Sequence, residues 1–225
     1  MTGPVEEFHT RGRAAVLAGE AVYDRPPSTR SPRWGVSVIV RPDTEAGERL
    51  AAVTEELAAV AAGAHWPTGR LGSGHVTVRV LEPYRDPVPP GDPAVGRYAA
   101  AVSRTAAGAA PLAFAMTGVV LMPGGVLVVA EPVDAAPARL RAVLAAELGA
   151  DSGYEDDSYR RNLWWSTLLH FAEPLADTAA LVGWIEARRT LDLGLFRARC
   201  LDLVRYEYNG AATAPVALMS VPLES

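Results

Sequence analysis

Moved along itself by 90 residues, the chain falls onto its own pattern. Val36 to Val40 lands on Val126 to Ala130, and Pro42 on Pro132. His75 lands on Trp165, Thr77 on Thr167, Val78 on Leu168 and Leu81 on Phe171. No gap is needed between the first of these positions and the last. A self-match at one offset that keeps its element order reads as a duplicated supersecondary unit. Here the unit is strand, helix, strand. The 225 residues are long enough for one well-buried domain or for two small lobes that share a core.

The elements follow from periodicity. Residues 5–20 set apolar positions among charges and predict a short amphipathic helix. Arg25 to Pro32 is a linker by composition. Alternating Val36, Val38 and Val40 mark a strand over 34–41, and Asp43 or Thr44 caps the helix after it. Residues 75–81 predict a strand and 93–107 a helix. Pro123-Gly124-Gly125 turns a hairpin between strands at 112–122 and 126–131. A helix at 137–148 ends at Gly149. An acidic loop, 151–158, leads to a strand at 163–172 and a helix at 177–189. Strands at 195–208 and 215–222 close the chain. The expected fold is α+β: two pseudo-symmetric lobes of antiparallel sheet with outer helices around a central cleft. Residues 1–32 form an N-terminal helix and linker, and 33–225 a single bilobal domain.

Composition removes whole classes of chemistry. All 21 basic residues are arginine; lysine is absent. A Schiff base, a lysyl adenylate and a phosphate-loop lysine are therefore excluded for this chain. Glutamine is absent too, and the codon bias of a GC-rich genome accounts for both. Cys200 is the only cysteine, so no intrachain disulfide and no cysteine zinc site can form. The net charge of −5 does not suit a surface built for duplex nucleic acid. No apolar run is long enough to span a membrane, and no signal peptide is visible, so the expected location is the cytoplasm. Glu155-Asp156-Asp157 lacks calcium-loop spacing and reads as a solvated acidic loop; no metal site is expected.

His75-Val76-Thr77-Val78 carries the chemistry. Alternation puts His75, Thr77 and Arg79 on one strand face. An imidazole moves protons near neutral pH, a hydroxyl donates to a phosphoryl oxygen, and a guanidinium binds it bidentately. One such triplet is a common strand face. A counterpart carrying Thr167 at the symmetric position of a duplicated fold favours a site over a plain strand face.

This architecture with its His-x-Thr-Val tetrad resembles the 2H phosphoesterase superfamily, over residues 33–223. The resemblance implies two lobes whose motifs face one another across a cleft. It implies one histidine as general base, the other as general acid, and hydroxyls holding the phosphate. It implies a cyclic phosphodiester or 2′-5′ linkage as substrate, carried by a small molecule or an RNA end, with no metal and no cofactor. His75, Thr77 and Thr167 would then be catalytic, and Arg79, Trp165, Tyr159 and Arg161 would bind substrate. The second tetrad departs from the pattern: Trp165-Ser166-Thr167-Leu168 has tryptophan for histidine. An indole N–H does not exchange a proton usefully at neutral pH. The protein is then a binder without turnover, an enzyme pairing His75 with another group, or one with new chemistry in the old cleft.

Other candidates rank lower. Alternation sends His170 to the face opposite Trp165, against helices or solvent. Trp165 either packs as core or serves as a stacking platform. Trp164, of opposite parity, is core. His65 lies in the loop before the first motif and His9 on the exposed side of the first helix. Tyr206 and Tyr208 can offer hydroxyls from a neighbouring strand. Arg160 pairs with Arg161 before the second motif. Cys200 reads as a small core residue.

Overall fold

The computed structural model describes residues 3–28, 33–63, 65–158 and 163–224. In chain order the elements are α1 (Pro4–Leu17), β1 (Ser37–Val40), α2 (Thr44–Val60), β2 (His65–Pro67), β3 (Val76–Val80) and α3 (Pro93–Ala106). There follow β4 (Leu112–Met122), β5 (Gly125–Pro132), α4 (Ala136–Leu148) and a 3-10 turn (Gly149–Ser152). The last are α5 (Gly153–Ser158), β6 (Trp165–Phe171), α6 (Thr178–Glu186), β7 (Asp192–Ala198), β8 (Cys200–Tyr208) and β9 (Thr213–Pro222). The helix starts follow side-chain chemistry. Asp43, Asp92 and Asp177 each accept a backbone N–H of the first turn that no helical carbonyl can reach. No described helix is long and apolar enough to cross a membrane.

The strands form one nine-stranded antiparallel sheet in the order β7-β4-β5-β6-β3-β1-β8-β9, with β2 paired to β6 beside that path. It divides into two four-stranded halves. β3 and β6 join them through a single bridge, Val76 to Ser166. These residues are equivalent under the 90-residue shift, so the pseudo-symmetry runs through the join.

The halves are not flat. Arg199 alone separates β7, at one edge of the sheet, from β8 near the other. Two Cα–Cα steps span at most about 7 Å. The sheet therefore curls until its ends approach. The expected single strand at 195–208 is in fact these two, and alternation hides the break because it continues across it. β2 and α5 are also additions, formed where the sequence pattern reads as loop.

The two faces differ. The outer face packs Val38, Val76, Val78, Val126, Val128, Leu168 and Leu169 against the helices, with Phe114, Phe171 and Phe196 fully buried among them. Each such side chain contributes roughly 1.5–3 kcal/mol. Trp164 joins this face against Phe114, with ring centroids 5.7 Å apart. The concave face has two small clusters. One is Ile39, Val204 and Tyr206 with Trp34. The other is Val120, Leu127 and Val129, covered by Val5 and Phe8 of α1.

α1 is thus docked on the concave face. His9 is 3% exposed, not on an outer side as expected. Its Nδ1 accepts from the Leu121 N–H and its Nε2 meets the Glu186 carboxylate. From α1 the chain continues as a strap. Val22 N donates to the Pro123 carbonyl and Asp24 N to the Phe171 carbonyl.

Candidate active site

Both motif strands carry a β-bulge. β1 pairs Val38 with Arg79 and then Ile39 with Thr77, so Val78 is an extra residue. β5 pairs Val126 with Leu169 and then Leu127 with Thr167, so Leu168 is extra. The two extra residues differ by the same 90 positions. The partner strands correspond differently: Ile39 matches Leu127, a shift of 88. The Pro42–Pro132 coincidence is therefore not a structural equivalence.

A bulge puts two consecutive side chains on one face and reverses the alternation beyond it. Two expectations change for this one reason. Arg79 does not share the face of His75 and Thr77. It is 3% exposed, lies outside the cleft lining, and donates to the Ser152 carbonyl over 2.7 Å. His170, expected on the face opposite Trp165, instead lines the cleft. In the first half its place is taken by Val80, which also lines the cleft.

The cleft has a volume of about 350 Å³. His75, Thr77, Trp165 and Thr167 meet there, as the two tetrads require, with Thr68, His170, Glu155 and Tyr206 beside them. His75 is fixed at both ring nitrogens. Nδ1 is 2.8 Å from the Ser73 carbonyl oxygen, which can only accept, so Nδ1 carries the proton. Nε2 is then the atom that gains or loses one, and it faces the Tyr206 hydroxyl at 3.0 Å. The Gly-Ser-Gly loop before β3 thus orients the imidazole through a backbone carbonyl.

His170 is 7% exposed. Its Nδ1 lies 2.8 Å from Asp24 Oδ2, although among the described residues no donor is well directed at that oxygen. The contact is close but out of line. Burial pushes the His170 pKa below the usual histidine range, against the Asp24 carboxylate, which raises it; Arg33 lowers it further. The Asp24 carboxylate also receives Arg33 at 2.5 Å. Trp34 stands edge-on to His170 at 4.9 Å and to Tyr206 at 5.4 Å between ring centroids. Its φ of 69° is unusual for a bulky side chain, a conformation retained where surrounding contacts enforce it.

Trp165 is half-buried. One side of its ring meets Phe8 of α1, 6.2 Å between centroids, while the residue still lines the cleft. Glu155 is no solvated loop residue. It is 2% exposed, lines the cleft and accepts the Val80 N–H. Burial raises the pKa of its neighbour Tyr154. Tyr159, Arg160 and Arg161 lie outside the described residues. His65 sits in β2 away from the cleft lining, its pKa lowered chiefly by burial. Tyr208 packs against Trp66 rather than reaching the cleft. Cys200 is half-buried. Among the described residues no three histidine, cysteine or acidic side chains group as metal ligands.

The residues missed from sequence are Asp24, Arg33, Trp34 and Glu155. None belongs to a motif. Asp24, Arg33 and Trp34 arrive on the segment before β1, and Glu155 on α5, where it meets Val80 of β3.

The curled antiparallel sheet with outer helices is a 2H phosphoesterase-like fold, shared with solved structures at low sequence identity. The solved structures that share it include TT0787 of Thermus thermophilus, at 18% identity and a TM-score of 0.63 over 84% of this chain and 97% of that one. LigT of E. coli in its apo form aligns at 11% identity and a TM-score of 0.58, over 84% and 97%. The same protein complexed with 3′-AMP aligns at 11% and 0.56, over 85% and 99%. No protein-family model matches the chain, and no curated protein does.

Proposed function

We propose that the cleft binds a phosphorylated, nucleotide-like small molecule or RNA end and opens a cyclic phosphodiester by proton transfer at His75. The observation that carries this is the meeting of His75, Thr77 and Thr167 in one cleft, with the imidazole tautomer fixed by the Ser73 carbonyl. The threonine hydroxyls donate to phosphoryl oxygens, and their fixed dipoles stabilise the charge that develops on them. Nε2 of His75 exchanges a proton with the attacking or leaving oxygen. The half-buried Trp165 ring offers a base a stacking surface, a contact that contributes about 1–3 kcal/mol. The reading needs no metal and no cofactor. LigT has been solved with 3′-AMP and with phosphate, ligands of the class proposed here.

A second reading has its own observation. Phe8 packs on Trp165 where the second tetrad would hold a histidine, so the substitution also seats α1. A cleft altered in this way retains phosphate binding and loses turnover.

One experiment separates the two. A panel of 2′,3′-cyclic nucleotides and cyclic-phosphate-ended oligonucleotides is followed by ³¹P NMR with wild type, His75→Ala and Trp165→His. Turnover by wild type that disappears in His75→Ala is expected. Silence in wild type with activity gained by Trp165→His selects the binder. Silence in all three, without phosphate binding, overturns the phosphate reading.

A further inference from the structure

We infer that His170 is the second proton-transfer residue of the cleft, standing in for the histidine that Trp165 displaces, with Asp24 as its positioning residue. The inference rests on the phosphate reading above and extends it to residues outside both tetrads.

Three independent features converge on His170. The bulge at Leu168 is what turns it inward; without the extra residue it would point to the helices. The strap then brings a carboxylate to it. Asp24 is held next to β6 by its own N–H on the Phe171 carbonyl, one residue from His170, and is 6% exposed. A buried carboxylate beside Nδ1 favours the Nδ1–H tautomer and supports positive charge on the ring. The contact with Asp24 occupies Nδ1 and leaves Nε2 as the nitrogen for a ligand, on a ring that lines the cleft. Finally, the two imidazoles end one continuous row of rings. His75 meets Tyr206 at 5.8 Å, Tyr206 meets Trp34 at 5.4 Å, and Trp34 meets His170 at 4.9 Å between centroids.

The Asp24 contact is close but out of line, and a catalytic contact of this kind tightens as substrate binds. Arg33 competes for the same carboxylate and is 48% exposed on its side chain, so it has room to swing toward an incoming phosphate. Among the described residues the charged groups facing His170 are Asp24 and Arg33.

Neutral His170 takes a proton from water at Nε2 as the water oxygen bonds to phosphorus. The bond from phosphorus to one ribose oxygen breaks, and that oxygen receives the Nε2 proton of protonated His75. The product is a phosphomonoester, His170 is left protonated and His75 neutral. One proton returned through solvent resets the pair. Asp24 beside Nδ1 suits His170 to the base role, because the carboxylate offsets the charge the ring gains.

The chain has four histidines, which makes the test direct. Wild-type protein labelled with ¹⁵N-histidine is titrated with 3′-AMP, and the ring nitrogens are followed by NMR. His75 and His170 are expected to shift together, while His9 and His65, outside the cleft, stay still. A shift at His75 alone overturns the role of His170 and leaves the phosphate reading standing. Stillness at both overturns both. In parallel, His170→Asn is expected to lower kcat at least ~100-fold on a 2′,3′-cyclic nucleotide, with 3′-AMP affinity within about threefold of wild type. Asp24→Asn is expected to lower it less and to move the His170 ring resonances in the free protein. Full turnover by His170→Asn, or equal losses of kcat and of 3′-AMP affinity, overturns the inference.

Discussion

Replacing Gly12 with alanine tests whether α1 is a built wall of the cleft. A Cβ at Gly12 would stand 2.2 Å from the Leu121 carbonyl oxygen and 2.7 Å from the Met122 Cα. Both are backbone atoms of β4 and cannot swing aside. Ordinary contact begins near 3.4 Å, so the helix must withdraw by about 1 Å. Overpacking of this kind costs about 1–3 kcal/mol. Withdrawal also stretches the bond from Leu121 N to His9 Nδ1, already 3.3 Å, which adds about 1 kcal/mol. Alanine regains about 1 kcal/mol of helix propensity, so the contact decides the sign. The net expectation is a loss near 2 kcal/mol, or a fall in Tm of roughly 4–8 °C for a chain of this size. Gly183→Ala is the control. Gly183 lies inside α6 with nothing within 4 Å of its Cβ position, so propensity alone acts and Tm should rise by roughly 2–4 °C. Thermal unfolding by circular dichroism reads both. A Gly12→Ala variant as stable as wild type, beside a stabilised Gly183→Ala, refutes the close docking of α1.

Two smaller expectations rest on aspartates that act as caps. Asp92 caps α3 and is held at about 2, first by the Arg85 guanidinium and then by the Val95 N–H. A depressed carboxyl contributes stability that is full above its ordinary 3.8 and is lost as pH falls through about 2. Asp92→Asn should therefore be less stable than wild type at pH 7, the two curves converging below about pH 2; a gap constant with pH would count against the pairing. Asp43 accepts from Ala46 N at the start of α2 and from Arg197 N of β7, tying a helix to a sheet edge. Asp43→Ala should cost about 1–2 kcal/mol in urea unfolding, and a change below about 0.3 kcal/mol refutes both bonds.

Much of the site is legible in the sequence because a duplicated tetrad is a local pattern. Alternation places His75, Thr77 and Thr167 correctly, since each lies before the bulge of its strand. It misplaces Arg79 and His170, because each lies after it. The apolar alternation of Val76, Val78 and Val80 continues unbroken past the bulge, and Leu168 and Leu169 are both apolar, so nothing in the pattern marks the extra residue. The charged neighbours of Glu155 suggest solvent, although Val80 N captures it. The polar helix face around His9 also suggests solvent, although that face meets β4.

Local pattern alone gave most of the element order, the cap of α2, the two-copy plan and the chemical vocabulary of the cleft, including the absence of lysine. These depend on residues near one another in the chain. Long-range packing sets which face the residues after Val78 and Leu168 present, how far the sheet curls, and that a strap from before β1 lays Asp24 beside His170. Each of these depends on pairing between segments far apart in sequence. A one-residue slip in such pairing reverses every side chain beyond it.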